Sequence, residues 1–146
     1  MGENETKPGQ LASSPVMQLI GAGRKLQQRL EGELAELGLT MRHLGALGHL
    51  SRRPDLSYSD LARRSGITTP SMLATVRALE NLGAVSRADA GKGHPARLEI
   101  TETGRELLGQ VRAVVARLDA ELTGDLPDDQ RETLQSTLLT LMRPGP

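Results

Sequence analysis

Between Arg63 and Arg97 the sequence gathers side chains suited to one kind of chemistry. Arg63, Arg64, Arg77, Arg87, Lys92 and Arg97 can each neutralise a phosphate, and an arginine can also grip a base edge with two parallel hydrogen bonds. Thr68, Thr69 and Ser71 carry hydroxyls that bond base edges or phosphate oxygens, and Ala74 offers a methyl group that can meet a thymine methyl. His94 would change charge near its reference pKa of about 6.5, although a spectator role fits it equally. Taken singly, Arg63, Arg64 and Arg77 are ordinary solvated helix arginines. Their meaning depends on the elements that carry them.

Other chemistries lack their residues. The chain has no cysteine, so no disulfide, thiolate metal site or thiol sensor is expected. His43 and His49 are six positions apart on one helix and do not share a face as a metal pair would. Asp128-Asp129 reads as helix first-turn charge rather than a catalytic pair. There is no nucleophile elbow, phosphate loop or dinucleotide fingerprint. The expectation is no enzyme, no metal and no cofactor.

The carrier of the basic residues is Ser57 to Gly83. Ser57-Tyr58-Ser59-Asp60 has the capping-box spacing and starts a short helix, Tyr58–Ser65, that stops at Gly66. Thr69 is expected to cap a second helix, with Pro70 as its first residue, where a missing N–H is harmless. That helix runs to Leu82. At 100° per residue Met72, Val76 and Leu79 share one face, with Leu73 and Leu82 beside it. Ser71, Ala74, Arg77, Ala78 and Asn81 point the other way. Two helices joined by a short glycine-containing turn form a helix-turn-helix, whose second helix can enter a DNA major groove.

After Gly83 the hydrophobic period changes. Ala84–Ala88 and Ala96–Ile100 alternate with period two, and the turn-rich stretch 89–95 lies between them. A hairpin directly after a recognition helix is a wing. Long helices flank this lobe. Val16, Leu19, Ile20, Leu26, Leu30, Leu34 and Leu37 form one apolar stripe ended by Gly38, and Leu107 to Leu122 form another, broken at Gly124 and Pro127. A last helix begins near Pro127 and carries Leu134, Leu138, Leu141 and Met142. Between the first stripe and the lobe, Thr40 caps a helix that runs to about Arg52. Its Gly45 and Gly48 each cost roughly 1 kcal/mol against alanine. Close packing of another helix is the expected reason, and room for a small ligand is the alternative.

Charge follows the same division. Formal net charge is zero, but residues 41–100 carry nine Lys/Arg against five Asp/Glu, while residues 1–40 and 101–146 are each net acidic. A basic middle between acidic helices is the electrostatic footprint of a DNA reader on a separate scaffold. With no aromatic residue except Tyr58, the core must be aliphatic, which favours packed helices. No apolar run approaches the roughly 18 residues that span a bilayer, and the polar start does not resemble a signal peptide, so a cytoplasmic protein is expected.

Leu61-Ala62…Gly66-Ile67, Val76-Arg77-Ala78-Leu79-Glu80-Asn81-Leu82-Gly83-Ala84-Val85 and Leu98-Glu99-Ile100-Thr101-Glu102-Thr103-Gly104, in that order and spacing, resemble the MarR family of bacterial transcription regulators. The resemblance covers roughly residues 15–142. It implies a mainly α fold with a small two- or three-stranded antiparallel β wing, a winged helix-turn-helix on a dimeric helical scaffold. Residues 1–14 would be a disordered tail and 15–146 a single domain, with 15–38 and 101–143 as dimerisation helices and 40–100 as the DNA-binding lobe. It further implies a homodimer on a near-palindromic double-stranded operator, most often as a repressor. A small-molecule pocket would lie between the dimer helices and the DNA lobe, with Arg24, His43 and Leu47 placed there by position alone.

Two departures qualify the DNA surface. Lys92-Gly93-His94 stands where family members usually carry an acidic-then-arginine pair, and Ala74 where many have arginine. Arg77 is then the one long donor facing the groove. Phosphate contacts and the wing, Lys92 and Arg97 above all, are expected to supply most of the affinity, with groove shape supplying part of the specificity. A protein-binding scaffold without strong DNA specificity is the alternative function.

Overall fold

The structure is a computed structural model, and it describes residues 8–88, 93 and 97–145. Seven helices and two strands follow in order: α1 Pro8–Ala12, α2 Pro15–Glu36, α3 Met41–Arg52, α4 Tyr58–Ser65, α5 Thr69–Asn81, β1 Val85–Ala88, β2 Arg97–Ile100, α6 Glu102–Thr123 and α7 Asp128–Leu141. The mainly helical fold with a two-stranded antiparallel sheet is the architecture read from the sequence. Within the segment read as a tail, α1 is closed by the Ser13 hydroxyl donating to the Gln10 carbonyl at 3.2 Å. No helix among the described residues is long and apolar enough to cross a membrane.

The chain forms two compact units, residues 1–111 and 112–146, divided within α6. The first holds the main core. Leu34, Leu47, Leu50, Leu61, Met72, Val76, Leu79 and Leu98 are fully or almost fully buried there. Each such side chain contributes about 1.5–3 kcal/mol by leaving water. The core draws on α3, α4, α5 and β2 together, so burial fixes the orientation of both helices of the helix-turn-helix. In the second unit Leu118 is buried and Leu134 half-buried, whereas Leu139, Leu141 and Met142 stand exposed.

Local signals set most boundaries. Gly66 ends α4 at φ 66°, a left-handed conformation open to glycine at no steric cost. The Ser57 hydroxyl accepts from the Asp60 N–H at 3.2 Å and donates to its carboxylate at 2.9 Å, which opens α4. One cap differs from expectation. Thr68, not Thr69, caps α5, because its hydroxyl reaches the Ser71 N–H at 3.3 Å; Thr69 and Pro70 then fill the first turn.

In the sheet Val85 pairs with Ile100, Ser86 with Glu99, Arg87 with Leu98 and Ala88 with Arg97. The strands are one residue shorter than expected at Ala84, and Ala96 lies outside the described residues. The sheet passes into α6 through a tight corner. Thr101 donates its N–H to the Ala84 carbonyl at 3.0 Å and its hydroxyl to the Gly83 carbonyl, while the same hydroxyl accepts from the Gly104 N–H at 3.1 Å.

The packing account of Gly45 and Gly48 does not hold. A Cβ built at Gly45 meets nothing within 4 Å, and one at Gly48 meets only the mobile end of Arg52 at 4.0 Å. Among the described residues, no neighbouring helix presses on either glycine.

At the start of α3, Thr40 and His43 form a reciprocal capping box. The His43 N–H donates to the Thr40 hydroxyl at 3.3 Å, and the Thr40 N–H donates to His43 Nδ1 at 3.0 Å. A backbone N–H can only donate, so this nitrogen must be unprotonated. Burial of the half-buried ring pushes the His43 pKa below 6.5. The unfolded chain therefore binds more protons in the window between the two values. His43's contribution to stability is complete above about 6.5 and is lost as pH falls through the lower folded pKa. In urea titrations at pH 5.5 and 7.5 we expect His43→Gln, which keeps a box acceptor without titrating, to shrink the pH dependence of the midpoint. An unchanged pH dependence would remove His43 from this role.

Candidate nucleic-acid interface

The core-facing side of α5 is Met72, Thr75, Val76 and Leu79, and what remains is the surface a duplex could meet. Thr69, Pro70, Ala74, Arg77 and Asn81 are exposed along it, with Ser71 half-exposed. Thr68 donates its hydroxyl to Ser71 Oγ at 2.9 Å, and Thr75 donates to the Ser71 carbonyl at 3.0 Å, which holds the mouth of the helix in one arrangement. With Thr68 used as a cap, Thr69 and Ser71 remain the hydroxyls that can donate outward. The exposed face is short-chained apart from Arg77.

Arg63 and Arg64 lie exposed on the last turn of α4, beside the start of α5. Arg63 is paired with Asp60. The Asp60 carboxyl is held below the usual carboxylate range, first by the Ser57 hydroxyl and then by the charges of Arg63 and Arg64. A solvent-exposed pair of this kind contributes little to stability, so a phosphate can take the guanidinium over.

Arg87, exposed on β1, is engaged by neighbours brought to it by packing. Its Nε donates to Glu80 Oε1 at 3.0 Å and its Nη2 to Oε2 at 3.4 Å, and its guanidinium stands 5.5 Å from the centre of the Tyr58 ring. It braces β1 against α5 and α4. Neither Glu80 nor Tyr58 stood out in the sequence, because nothing in their spacing of seven and 29 positions from Arg87 signals a contact. Arg97 is exposed at the start of β2. Lys92 and His94 lie outside the described residues, so the wing contribution expected of them stands as a proposal.

Sequence comparison follows this geometry closely. Residues 37–94, which contain the α4–α5 pair, match the MarR family profile. An HTH-type transcriptional repressor of Mycobacterium tuberculosis, Rv2887, is 33% identical over 121 residues, covering 82% of this chain and 87% of the relative. The chain belongs to the MarR family. Among solved MarR proteins, that of M. tuberculosis in complex with DNA superposes with a TM-score of 0.77 at 30% identity, covering 89% of this chain and 98% of the other. The same protein in complex with salicylic acid gives 0.70 at 31% identity, over 88% and 96%. The transcriptional repressor CouR, bound to a 23-mer DNA duplex, gives 0.78 at 28% identity, over 96% and 100%.

The three positions placed in a ligand pocket differ in their surroundings. Leu47 is fully buried in the core, His43 is occupied by the α3 cap, and Arg24 is exposed on α2. An open groove of about 310 Å³ lies along α3 and the end of α4, lined by Met41, Arg42, Gly45 and His49 on one side and Arg64, Ser65 and Ile67 on the other. Arg42 was not expected as a site residue; Gly45 was read as a packing glycine, with room for a small ligand as the alternative.

Proposed function

We propose that this MarR-family chain is a homodimeric, ligand-responsive repressor that binds a near-palindromic double-stranded operator in the cytoplasm. It is read as a binding protein rather than an enzyme, with no cofactor. The observation that carries this reading is the helix-turn-helix itself. A buried face on α5 fixes the helix, a glycine turn sets its angle to α4, and the outward face holds Thr69, Ser71, Ala74 and Arg77, with Arg63 and Arg64 beside it. Such a face reads a groove through its N-terminal residues while the preceding helix crosses the backbone.

Unsatisfied apolar surface supports the dimer. On α2 only the C-terminal half finds core partners: Leu34 is buried and Leu30 and Leu37 pack beside it, while Val16 is 63% exposed and Met17, Leu19 and Ile20 are exposed as well. Just past the end of α7, Met142 is 80% exposed. Large apolar residues left exposed along one helix, as on α2, mark an interaction site. A two-fold axis would set two copies of α5 one DNA turn, about 34 Å, apart. The relatives solved with DNA and with salicylic acid support the operator and effector parts of the reading.

The test is fluorescence anisotropy with the DNA upstream of the protein's own gene, repeated at two salt concentrations. Binding should weaken steeply as salt rises, with a slope near −0.9 per neutralised phosphate. No binding even at low salt would reject the reading and favour a protein-binding scaffold.

A further inference from the structure

We propose that Arg53, Arg63 and Arg64 form one seat for a phosphate group, in the hollow between the α3–α4 loop and α4. Arg53 was not among the expected DNA contacts, and the three arginines act on one phosphate rather than on three. The seat itself is independent of the function proposed above. Its use on a DNA backbone rests on that reading.

Two anchors bring the arginines together. Arg53 ends α3 with an extended backbone, its N–H donating to the His49 carbonyl at 2.9 Å. Three residues on, Leu56 is buried in the core and ties the loop down before Ser57 opens α4. Arg63 and Arg64 follow in the last turn of α4, three and four positions from Asp60 and therefore on its side of the helix. All three arginines line one hollow of about 340 Å³ together with Leu56 and Asp60.

The lining specifies the chemistry. Asp60 is its one carboxylate and is already engaged, accepting from the Ser57 hydroxyl at 2.9 Å and from the Arg63 guanidinium. Ser57 thus holds Asp60, and Asp60 orients Arg63. Among the described residues neither Arg53 nor Arg64 has an ion pair. Three cations against one anion leave the hollow at a formal charge of +2. Like charges gathered in this way repel, and a bound anion relieves the repulsion. Guanidinium forks match the paired oxygens of a phosphate, and arginine is the residue suited to gripping one from several sides. The volume admits a phosphate together with the group it is esterified to. Two sources carry such a group, the DNA backbone and a free phosphate ester. The first helix of a helix-turn-helix crosses the backbone, and two of the three arginines stand on that helix.

The test has one arm for each source. In the DNA arm, operator binding is followed by anisotropy over a salt series for the parent, Arg53→Ala, Arg64→Ala and the double variant. The salt slope counts neutralised phosphates at about 0.9 each. Arg53→Ala should flatten it by about one unit, and the double variant by about one unit as well, because the lost phosphate is the same one. A double variant that flattens the slope by about two units assigns separate phosphates and overturns the shared seat. In the DNA-free arm, inorganic phosphate and phenyl phosphate are titrated at constant ionic strength while the arginine side-chain Nε–H signals are followed by NMR. The signals of Arg53, Arg63 and Arg64 should move together and saturate, and Arg53→Ala should weaken binding about tenfold. Phosphate binding lost in Arg53→Ala, with a DNA slope that the substitution leaves unmoved, assigns the seat to a free phosphate ester. A slope that moves without free-phosphate binding assigns it to the backbone. No response in either arm overturns the proposal. All three side chains are exposed, so each variant should keep the far-ultraviolet circular dichroism of the parent. A chain that never binds DNA defeats the repressor reading, and the DNA-free arm still decides the seat.

Discussion

Gly104→Ala is expected to destabilise the DNA-reading unit by about 3 kcal/mol, near the upper end for overpacking a close contact. The added Cβ would lie 2.1 Å from the Ala84 carbonyl oxygen and 2.7 Å from Ile100 Cγ2. The first neighbour is backbone and cannot swing aside. It is also the acceptor of the Thr101 N–H, so displacing it opens the corner where the sheet enters α6. Gly109, in the same helix, provides the control: a Cβ there meets nothing within 4 Å. Gly109→Ala should gain up to about 1 kcal/mol from helix propensity. Urea unfolding of the two variants side by side checks the pair. Equal midpoints would mean that the corner is not packed as described.

The second large effect concerns DNA. Arg77→Ala removes the one long side chain among the described outward residues of α5 and is expected to cost about 1–3 kcal/mol of operator affinity, with relaxed discrimination at one base position. Arg64→Ala should weaken binding about equally on all sequences and flatten the salt slope by about one unit, the signature of a phosphate contact. Arg87→Ala is the contrast, because it releases Glu80 and Tyr58 and should lower the unfolding midpoint while leaving the salt slope nearly unchanged. Anisotropy on the operator and on its single-base variants, at two salt concentrations, separates the three. An Arg87→Ala slope that falls as far as that of Arg64→Ala would return Arg87 to the DNA surface.

Much of the fold was legible because its signals act over a few residues. Ser57, Thr40 and Gly66 each mark a helix end through groups three or four positions away, and the 3.6-residue apolar period of Met72, Val76 and Leu79 names the buried face of α5 without reference to its partner. The slip from Thr68 to Thr69 shows the resolution of such signals. Two adjacent threonines before a proline both fit, and only the position of the Ser71 N–H decides between them.

The sequence alone determined the family, the order of elements and the outward face of the recognition helix, since caps, turns and periodicity are local properties of the chain. Tertiary structure decided what three groups do. Arg87 stands on an exposed strand face, and packing brings Glu80 and the Tyr58 ring to its guanidinium. Gly45 could accept a neighbouring helix or leave a space, and the path of α4 leaves the space. Leu47 could line a pocket or fill the core, and the closing of α3, α4 and α5 around it makes it core. Each outcome depends on residues distant in sequence, whose meeting is set by the burial of a shared core and leaves no trace in the spacing of any one segment.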